Sequence, residues 1–242
     1  DTGEGKMPEP EVLLSYILRE LAHEKDMKGL KVCVTAGPTR ETIDPVRFIS
    51  NRSTGKMGFA LAKNAMERGA DVTLVSGPVE LKDVPFVKMV HVESARQMFE
   101  AVTKEAETAD IIVKAAAVAD YRPAVVADEK IKKKDGDMSI ALERTDDIIG
   151  TLGKTKRDNL FLCGFSMETE HMLENSKAKL EKKNLDMIIA NNVKVKGAGF
   201  GTDTNVVTLI TKDEIKELPI MSKEDVADEI FNNILANRKG IV

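Results

Sequence analysis

Four stretches of this chain carry residue types whose spacing could do chemistry, three of them suited to an anionic group and one to a nucleoside-like ligand. The first is Gly37-Pro38-Thr39-Arg40 together with Asn51-Arg52-Ser53-Thr54-Gly55-Lys56-Met57-Gly58. A Ser/Thr/Gly-rich loop entering a helix presents backbone N–H groups at the positive end of the helix dipole, which favours an anion. It is neither a dinucleotide fingerprint nor a P-loop: Ser50 stands where the first Walker glycine belongs, and Met57 where Ser or Thr belongs. Simple capping by Ser53 or Thr54 is the other reading of the same residues. The second stretch is Lys114-Ala115-Ala116-Ala117-Val118-Ala119-Asp120-Tyr121. Small residues at a strand end let a ligand approach the backbone, and Asp120 could accept from a sugar hydroxyl or a base amino group. Tight helix packing with Asp120 as a cap is the alternative. The third is Lys130-Ile131-Lys132-Lys133-Lys134, either a solvated face or a mobile lysine that closes over a triphosphate. The fourth is Lys179 and Lys183. Their i, i+4 spacing puts two like charges on one helix face, a mild destabilisation unless an anion lies between them.

These stretches need elements to hold them. Residues 11–25 show helical apolar spacing at Leu13, Leu14, Ile17, Leu18 and Leu21. No strand precedes them, so they read as an appendage. Val32–Ala36, Val72–Val75, Val90–Val92 and Ile111–Val113 are short β-branched runs. Between them, Gly55–Arg68 and Ser94–Thr108 read as helices, the first ended by Gly69. From Arg122 to Leu142 the pattern breaks into a loop and a β-excursion carrying Met138, Ile140 and Leu142. Alternation resumes with helix 146–152, strand 160–165, helix 172–183 and strand 187–190. Two antiparallel strands, 206–210 and 214–218, and a helix from Ser222 close the chain. Strand alternating with helix predicts an α/β fold, a Rossmann-like doubly wound and mostly parallel sheet with a β-excursion. The candidate loops then gather at the carboxyl ends of the strands.

Composition narrows the function. The 242 residues carry 36 Lys+Arg and 40 Asp+Glu, a net charge of −4, with no Trp and two Tyr. That balance and the lack of stacking aromatics argue against a nucleic-acid binder. No apolar run reaches the ~18 residues of a membrane span, and residues 1–6 lack the early apolar stretch of a secretory signal. Cys33 and Cys163 lie inside apolar runs, which points to a reducing, cytoplasmic setting. His23, His91 and His171 have no ligand spacing, and no hydrolase triad or zinc motif is present.

The segments TAGPTRETIDPVRFISNRSTGKMG, AAAVADYRP, EKIKKK, CGFSMETE and KNLDMIIANN occur in this order. Together they resemble phosphopantothenate–cysteine ligase, the ligase half of a bifunctional coenzyme A biosynthesis protein of bacteria, over residues 30–242. The resemblance implies a CTP-dependent reaction assisted by Mg²⁺. The carboxylate of 4′-phosphopantothenate would be activated as an acyl cytidylate, then captured by the amine of L-cysteine. It implies CTP contacts at Lys114, Ala115, Ala116, Asp120, Lys130, Asp146, Asp147, Ile148, Ile149, Phe165, Lys179 and Lys183, with Lys130 a flap lysine on the triphosphate. It implies that Asn51 holds the acyl cytidylate and that Arg47 positions the phosphopantothenate. It assigns no metal ligands. It also implies a homodimer, with flap and dimerisation strands in the β-excursion. Thr145-Asp146-Asp147 departs from a family pattern with Pro before the last Asp, which should loosen the helix start. Ser166-Met167-Glu168-Thr169 stands where the family often has Ala-Ala-Glu-Thr. Residues 1–29 resemble the end of a flavin-dependent decarboxylase plus a linker helix, so FMN would belong to a missing half. Two other readings compete. A nicotinamide oxidoreductase would want the glycine fingerprint and a Tyr/Lys relay, but four residues beyond Tyr121 stands Val125. A non-catalytic nucleotide sensor would not need Lys130 or Asn51.

Overall fold

The computed structural model describes residues 5, 7–133, 137–167, 171–191 and 201–238. Lys134, Glu168 and Thr169, singled out above, lie outside the described residues. Helix α1 (Pro10–Leu21) leads into β1 (Lys31–Ala36), the hairpin β2 (Arg40–Thr42) and β3 (Phe48–Ser50), α2 (Lys56–Glu67), β4 (Asp71–Ser76), β5 (Lys88–His91), α3 (Ala95–Ala106) and β6 (Ile111–Lys114). Then follow β7 (Tyr121–Pro123), β8 (Leu142–Arg144), α4 (Ile148–Lys154), β9 (Phe161–Met167), α5 (Met172–Lys182) and β10 (Met187–Asn191). The chain continues through β11 (Thr204–Asn205), β12 (Val207–Thr211), β13 (Ile215–Glu217), β14 (Met221–Ser222) and α6 (Lys223–Asn237).

Eight strands form one sheet in the order β13-β12-β10-β9-β6-β1-β4-β5. The strands from β5 to β10 pair in parallel; β12 and β13 add antiparallel at one edge. The order reverses at β1, between β4 and β6. In an open α/β sheet a ligand crevice opens at that switch point, beyond the strand carboxyl ends.

Strand periodicity sorts the core into two layers. Val32, Val34, Leu74, Ile111, Val113, Met187 and Leu209 pack with α2 and α6 on one face. Cys33, Val75, Ile112, Leu162, Ile188 and Ile210 pack with α3, α4 and α5 on the other. The two cysteines thus face opposite layers, and both are buried. Burial, then the Glu105 charge, pushes the Cys33 thiol up to about 12; burial and then Asp186 push Cys163 up as well. Neither is a nucleophile at neutral pH.

Local chemistry explains the boundaries. Ser94 caps α3 in a reciprocal capping box with Gln97. Ser222 caps α6. Helix α1 stops at Leu21, short of the expected residue 25, and none of its residues is buried. Its apolar side chains lack the packing that would hold a further turn. The β-excursion exists, but its strands are β7 and β8, with Tyr121 opposite Arg144; Met138 and Ile140 lie in no strand. The polar stretch after β1 folds into the β2–β3 hairpin, which composition did not foretell. No helix among the described residues is long and apolar enough to cross a membrane.

Gly58 sets the approach of α2 to the sheet. A Cβ there would lie 2.5 Å from Ala36 Cβ and 2.8 Å from the Thr35 carbonyl oxygen. Gly→Ala inside a helix ordinarily stabilises, but overpacking by this much outweighs that gain. Gly58→Ala is expected to lower unfolding stability by about 1–3 kcal/mol in urea titration; an unchanged midpoint would show that α2 can shift freely.

Candidate functional site

The switch-point crevice is a cavity of about 740 Å³. Its floor is the run Lys114–Asp120, and the chain works to hold that run still. The hydroxyl oxygens of Thr35 and Thr39, both buried, accept from the N–H groups of Ala116 and Ala119 at 3.0 Å each. The Ala117 N–H donates to the Gly37 carbonyl at 2.9 Å. Thr145 closes the far side: its hydroxyl donates to the Ala119 carbonyl at 2.6 Å, and its N–H to the Asp120 carbonyl at 3.0 Å. Small residues are needed because both sides of the run are occupied, by Thr35 and Thr39 behind and by the cavity in front.

One wall is the entry to α2. Asn51, Ser53, Gly55, Lys56, Met57 and Gly58 line it. Gly55 is the N-cap with φ of 81° and makes no side-chain cap, a conformation that favours glycine. First-turn N–H groups of a helix have no intrahelical acceptor, so this wall presents donors. Asn51 Nδ2 donates to the Ala117 carbonyl at 2.8 Å. One amide hydrogen is thereby used for orientation, and the other remains for a ligand.

The opposite wall brings together Asp146, Asp147, Ile148 and Ile149 with Phe165, Lys179 and Lys183. Asp147 caps α4, accepting from the Gly150 N–H at 3.1 Å, and pairs with Lys183 at 2.8 Å. Burial alone would raise its carboxyl; the Lys183 hydrogen bond and the Gly150 N–H outweigh that and hold it below its ordinary value. The expected loosening without Pro is therefore offset by a cap, and α4 starts two residues later than expected. Asp147 also supplies the negative charge that Lys183 lacks on its own helix.

Lys114 sits among these charges. Burial first, then the Lys183 charge, push its ammonium from 10.5 down to about 8, against the pull of Asp120 and Asp147. Six basic side chains (Lys56, Lys114, Arg144, Lys179, Lys183 and Lys223) and three acidic ones line the cavity, on a chain whose net charge is −4. Concentrated positive charge in a cleft focuses the field on an anion.

Two expected residues stand elsewhere. Lys130 is exposed and outside the cavity lining. Arg47 is also outside it: its guanidinium pairs with Asp44 and donates to the Ile131 carbonyl at 3.0 Å. Lys56 of the first stretch lines the cavity, and so do Arg144, Asn205 and Lys223, which sequence did not single out. Lys56 pairs with Asp203 at 2.6 Å. Lys223 is buried and donates to the Thr202 carbonyl; burial and then Lys56 lower its pKa. The short β11–β14 pairing brings Asn205 and Lys223 to this end, and no local pattern in the sequence signals it.

Residues 27–237 match the family described as DNA/pantothenate metabolism flavoprotein, C-terminal domain. The chain belongs to this family. It is 49% identical over 242 residues to the coenzyme A biosynthesis bifunctional protein CoaBC of Bacillus subtilis, covering 98% of this chain and 59% of that protein. It is 45% identical to a cysteine/cysteine sulfinic acid decarboxylase of an unknown prokaryotic organism, covering 97% of this chain and 67% of that one. Among solved structures, the C-terminal domain of a CoaBC superposes with a TM-score of 0.74 at 44% identity, over 86% of this chain and 95% of that domain. The chain thus spans about three-fifths of the Bacillus relative. The family segments Asn51, Lys114–Asp120, Asp146–Ile149, Phe165, Lys179 and Lys183 converge on one cavity; Arg47 instead donates to the carbonyl of Ile131, the residue after Lys130.

Proposed function

We propose that this chain is the ligase part of a bifunctional coenzyme A biosynthesis protein, joining 4′-phosphopantothenate to L-cysteine at the expense of CTP. The observation that carries the reading is the convergence of four of the five quoted family segments, together with Asp146–Ile149, on one basic cavity. In the first step a carboxylate oxygen of 4′-phosphopantothenate attacks the α-phosphorus of CTP. The bond to the β-phosphate breaks, and pyrophosphate leaves with its electron pair. In the second, the cysteine amine attacks the acyl carbonyl; CMP leaves and the nitrogen sheds a proton. The Ala115–Ala117 backbone and Phe165 receive the nucleoside, with Asp120 accepting from it. Lys114, Lys179, Lys183 and the entry to α2 offset the charge of the phosphates. Asn51 donates to the developing oxyanion without adding a charge that would also stabilise the ground state.

No group of three His, Cys, Asp or Glu forms a metal cage among the described residues. Magnesium fits a different arrangement, held chiefly by substrate phosphates plus one or two carboxylates. Asp120 and Asp146 are the wall carboxylates placed for that. When bound, the ion would neutralise phosphate charge.

A cavity of about 740 Å³ is far larger than cysteine alone needs, which weighs against reading the cavity as a site for decarboxylating that amino acid. Nicotinamide chemistry lacks its fingerprint, and a sensor would bind CTP without turnover. The deciding experiment is pyrophosphate release with 4′-phosphopantothenate, Mg²⁺ and CTP or ATP, with and without L-cysteine. CTP-dependent release, with amide formed only on adding cysteine, is the expected result. No release with either nucleotide would overturn the reading.

Lys130→Gln is expected to slow pyrophosphate release by at least ~100-fold, the scale of losing a charge-stabilising donor. That requires the exposed Lys130 side chain to reach the triphosphate; an unchanged rate would remove it from the reaction. Leu14, Ile17 and Leu21 on α1 are exposed, and their i, i+3, i+7 spacing puts them on one face. We assign that face to the homodimer, which a monomer at micromolar concentration in sedimentation would contradict. A decarboxylase domain carrying FMN would precede this one in the full-length protein, which would work in the cytoplasm.

A further inference from the structure

Asp44 lies in the hairpin turn Ile43-Asp44-Pro45-Val46-Arg47 and is 1% exposed. A buried carboxylate must be surrounded by donors, and this one has five. The N–H groups of Val46 and Arg47 and the Arg47 Nε each reach it at 2.9 Å, with Arg47 Nη2 completing a two-pronged pair. The fifth donor comes from across the fold: the Ile131 N–H, at 3.2 Å. Arg47 Nη2 returns the contact by donating to the Ile131 carbonyl, and the Ala127 N–H donates to the Ile43 carbonyl at 3.0 Å. Residues 127–131 are therefore an arch pinned at both ends to the hairpin turn, with Lys130 next to one pin.

The hairpin is itself fastened to the body. The Arg40 N–H donates to the Glu93 carbonyl at 2.8 Å, and the buried Glu41 carboxylate accepts from the Ala95 N–H at the start of α3 at 2.9 Å. Its second strand ends at Ser50, whose hydroxyl donates to the Thr39 carbonyl at 2.8 Å, and the next residue is Asn51. One hairpin thus carries the Lys130 arch on its turn and Asn51 at its base.

We infer that Asp44 is a positioning residue that couples the Lys130 arch to the strand leading into Asn51, so that both half-reactions depend on a carboxylate that touches no substrate. This rests on the ligase reading. Arg47 joins the same clamp, which explains its place outside the cavity. The Arg47 guanidinium and the surrounding N–H groups hold the Asp44 carboxyl well below the usual carboxylate range, so the clamp stays charged at any working pH.

The test combines hydrogen exchange with separate rates for pyrophosphate release and amide formation, in Asp44→Asn and Ile131→Pro. The second variant removes the cross-fold N–H, fixing φ at 131 and restricting Lys130 as well, and leaves the Asp44–Arg47 pair, so its exchange readout carries the test if Asp44→Asn does not fold. In either variant, exchange across 127–131 is expected to speed by at least ~10-fold while β1 and β6 stay protected. Asp44→Asn is expected to slow both half-reactions by ~10-fold per folded molecule, with the CTP KM within about threefold. Lys130→Gln should slow only the first half-reaction, and Asn51→Asp only the second. Unchanged exchange at 127–131 in the variants that fold, or unchanged rates per folded molecule, would overturn the clamp. If the parent releases no pyrophosphate, the ligase reading falls, and with it the coupling.

Discussion

Asn51→Asp is expected to release pyrophosphate at close to the parent rate, yet to form amide at least ~100-fold more slowly, with the acyl cytidylate accumulating. Asn51 Nδ2 spends one hydrogen on the Ala117 carbonyl and has one left for the acyl oxygen. A carboxylate there donates nothing. It would face the Ala117 carbonyl oxygen, acceptor against acceptor, and swing away. It would also oppose the negative charge that develops on the oxyanion when the cysteine amine attacks. The first half-reaction develops its charge at the α-phosphorus and on the departing pyrophosphate, where the lysines act. The two effects therefore separate by step. The check is single-turnover work: pyrophosphate by a coupled assay, acyl cytidylate and amide by mass spectrometry. Amide formed at the parent rate would remove Asn51 from the mechanism; loss of pyrophosphate release as well would make it a binding residue.

Most of the parallel strands were legible because they are short, largely buried apolar runs, and their helices because apolar spacing and capping residues such as Ser94 and Ser222 are local signals. The same locality explains what was missed. Thr35 and Thr39 carry the Lys114–Asp120 floor through hydrogen bonds that span 81 and 80 residues. In sequence they are two threonines around a turn. Lys223 reads as an ordinary residue after a helix cap, and only the β11–β14 pairing and α6 bury it beside Lys56. Asp146 looked like a disturbance because it stands where the family has proline; in space the next residue, Asp147, caps the helix and pairs with Lys183. Twelve of the residues implied by the family resemblance line one cavity, since motif order survives where pairwise geometry cannot be read. It could not show that Arg47 turns toward Asp44 rather than the cavity, because that depends on which acceptor its guanidinium meets.

Lys114→Met is expected to weaken nucleotide binding by ~10–100-fold, the loss of one buried charge-assisted contact to phosphate. Met keeps the length and apolar stem, so packing on the cavity floor changes little. The pH dependence provides the sharper result. Burial and the Lys183 charge lower the Lys114 pKa to about 8, so the ligand-free ammonium sheds its proton within reach of neutral pH. A polyanion favours the charged form. Nucleotide affinity should therefore be fully present below pH 8 and fall above it, by up to about tenfold per pH unit. The variant should be flat over that window. Stability runs the other way. The folded lysine holds its proton less tightly than the unfolded one at 10.5, so between about 8 and 10.5 the native chain binds fewer protons. Stability without nucleotide then rises with pH across that interval, and the variant lacks that rise. Calorimetric binding at pH 7 and 9, with urea midpoints at pH 8 and 10, measures both. Parent affinity that does not fall between pH 7 and 9 would show that Lys114 is not the group meeting the phosphates.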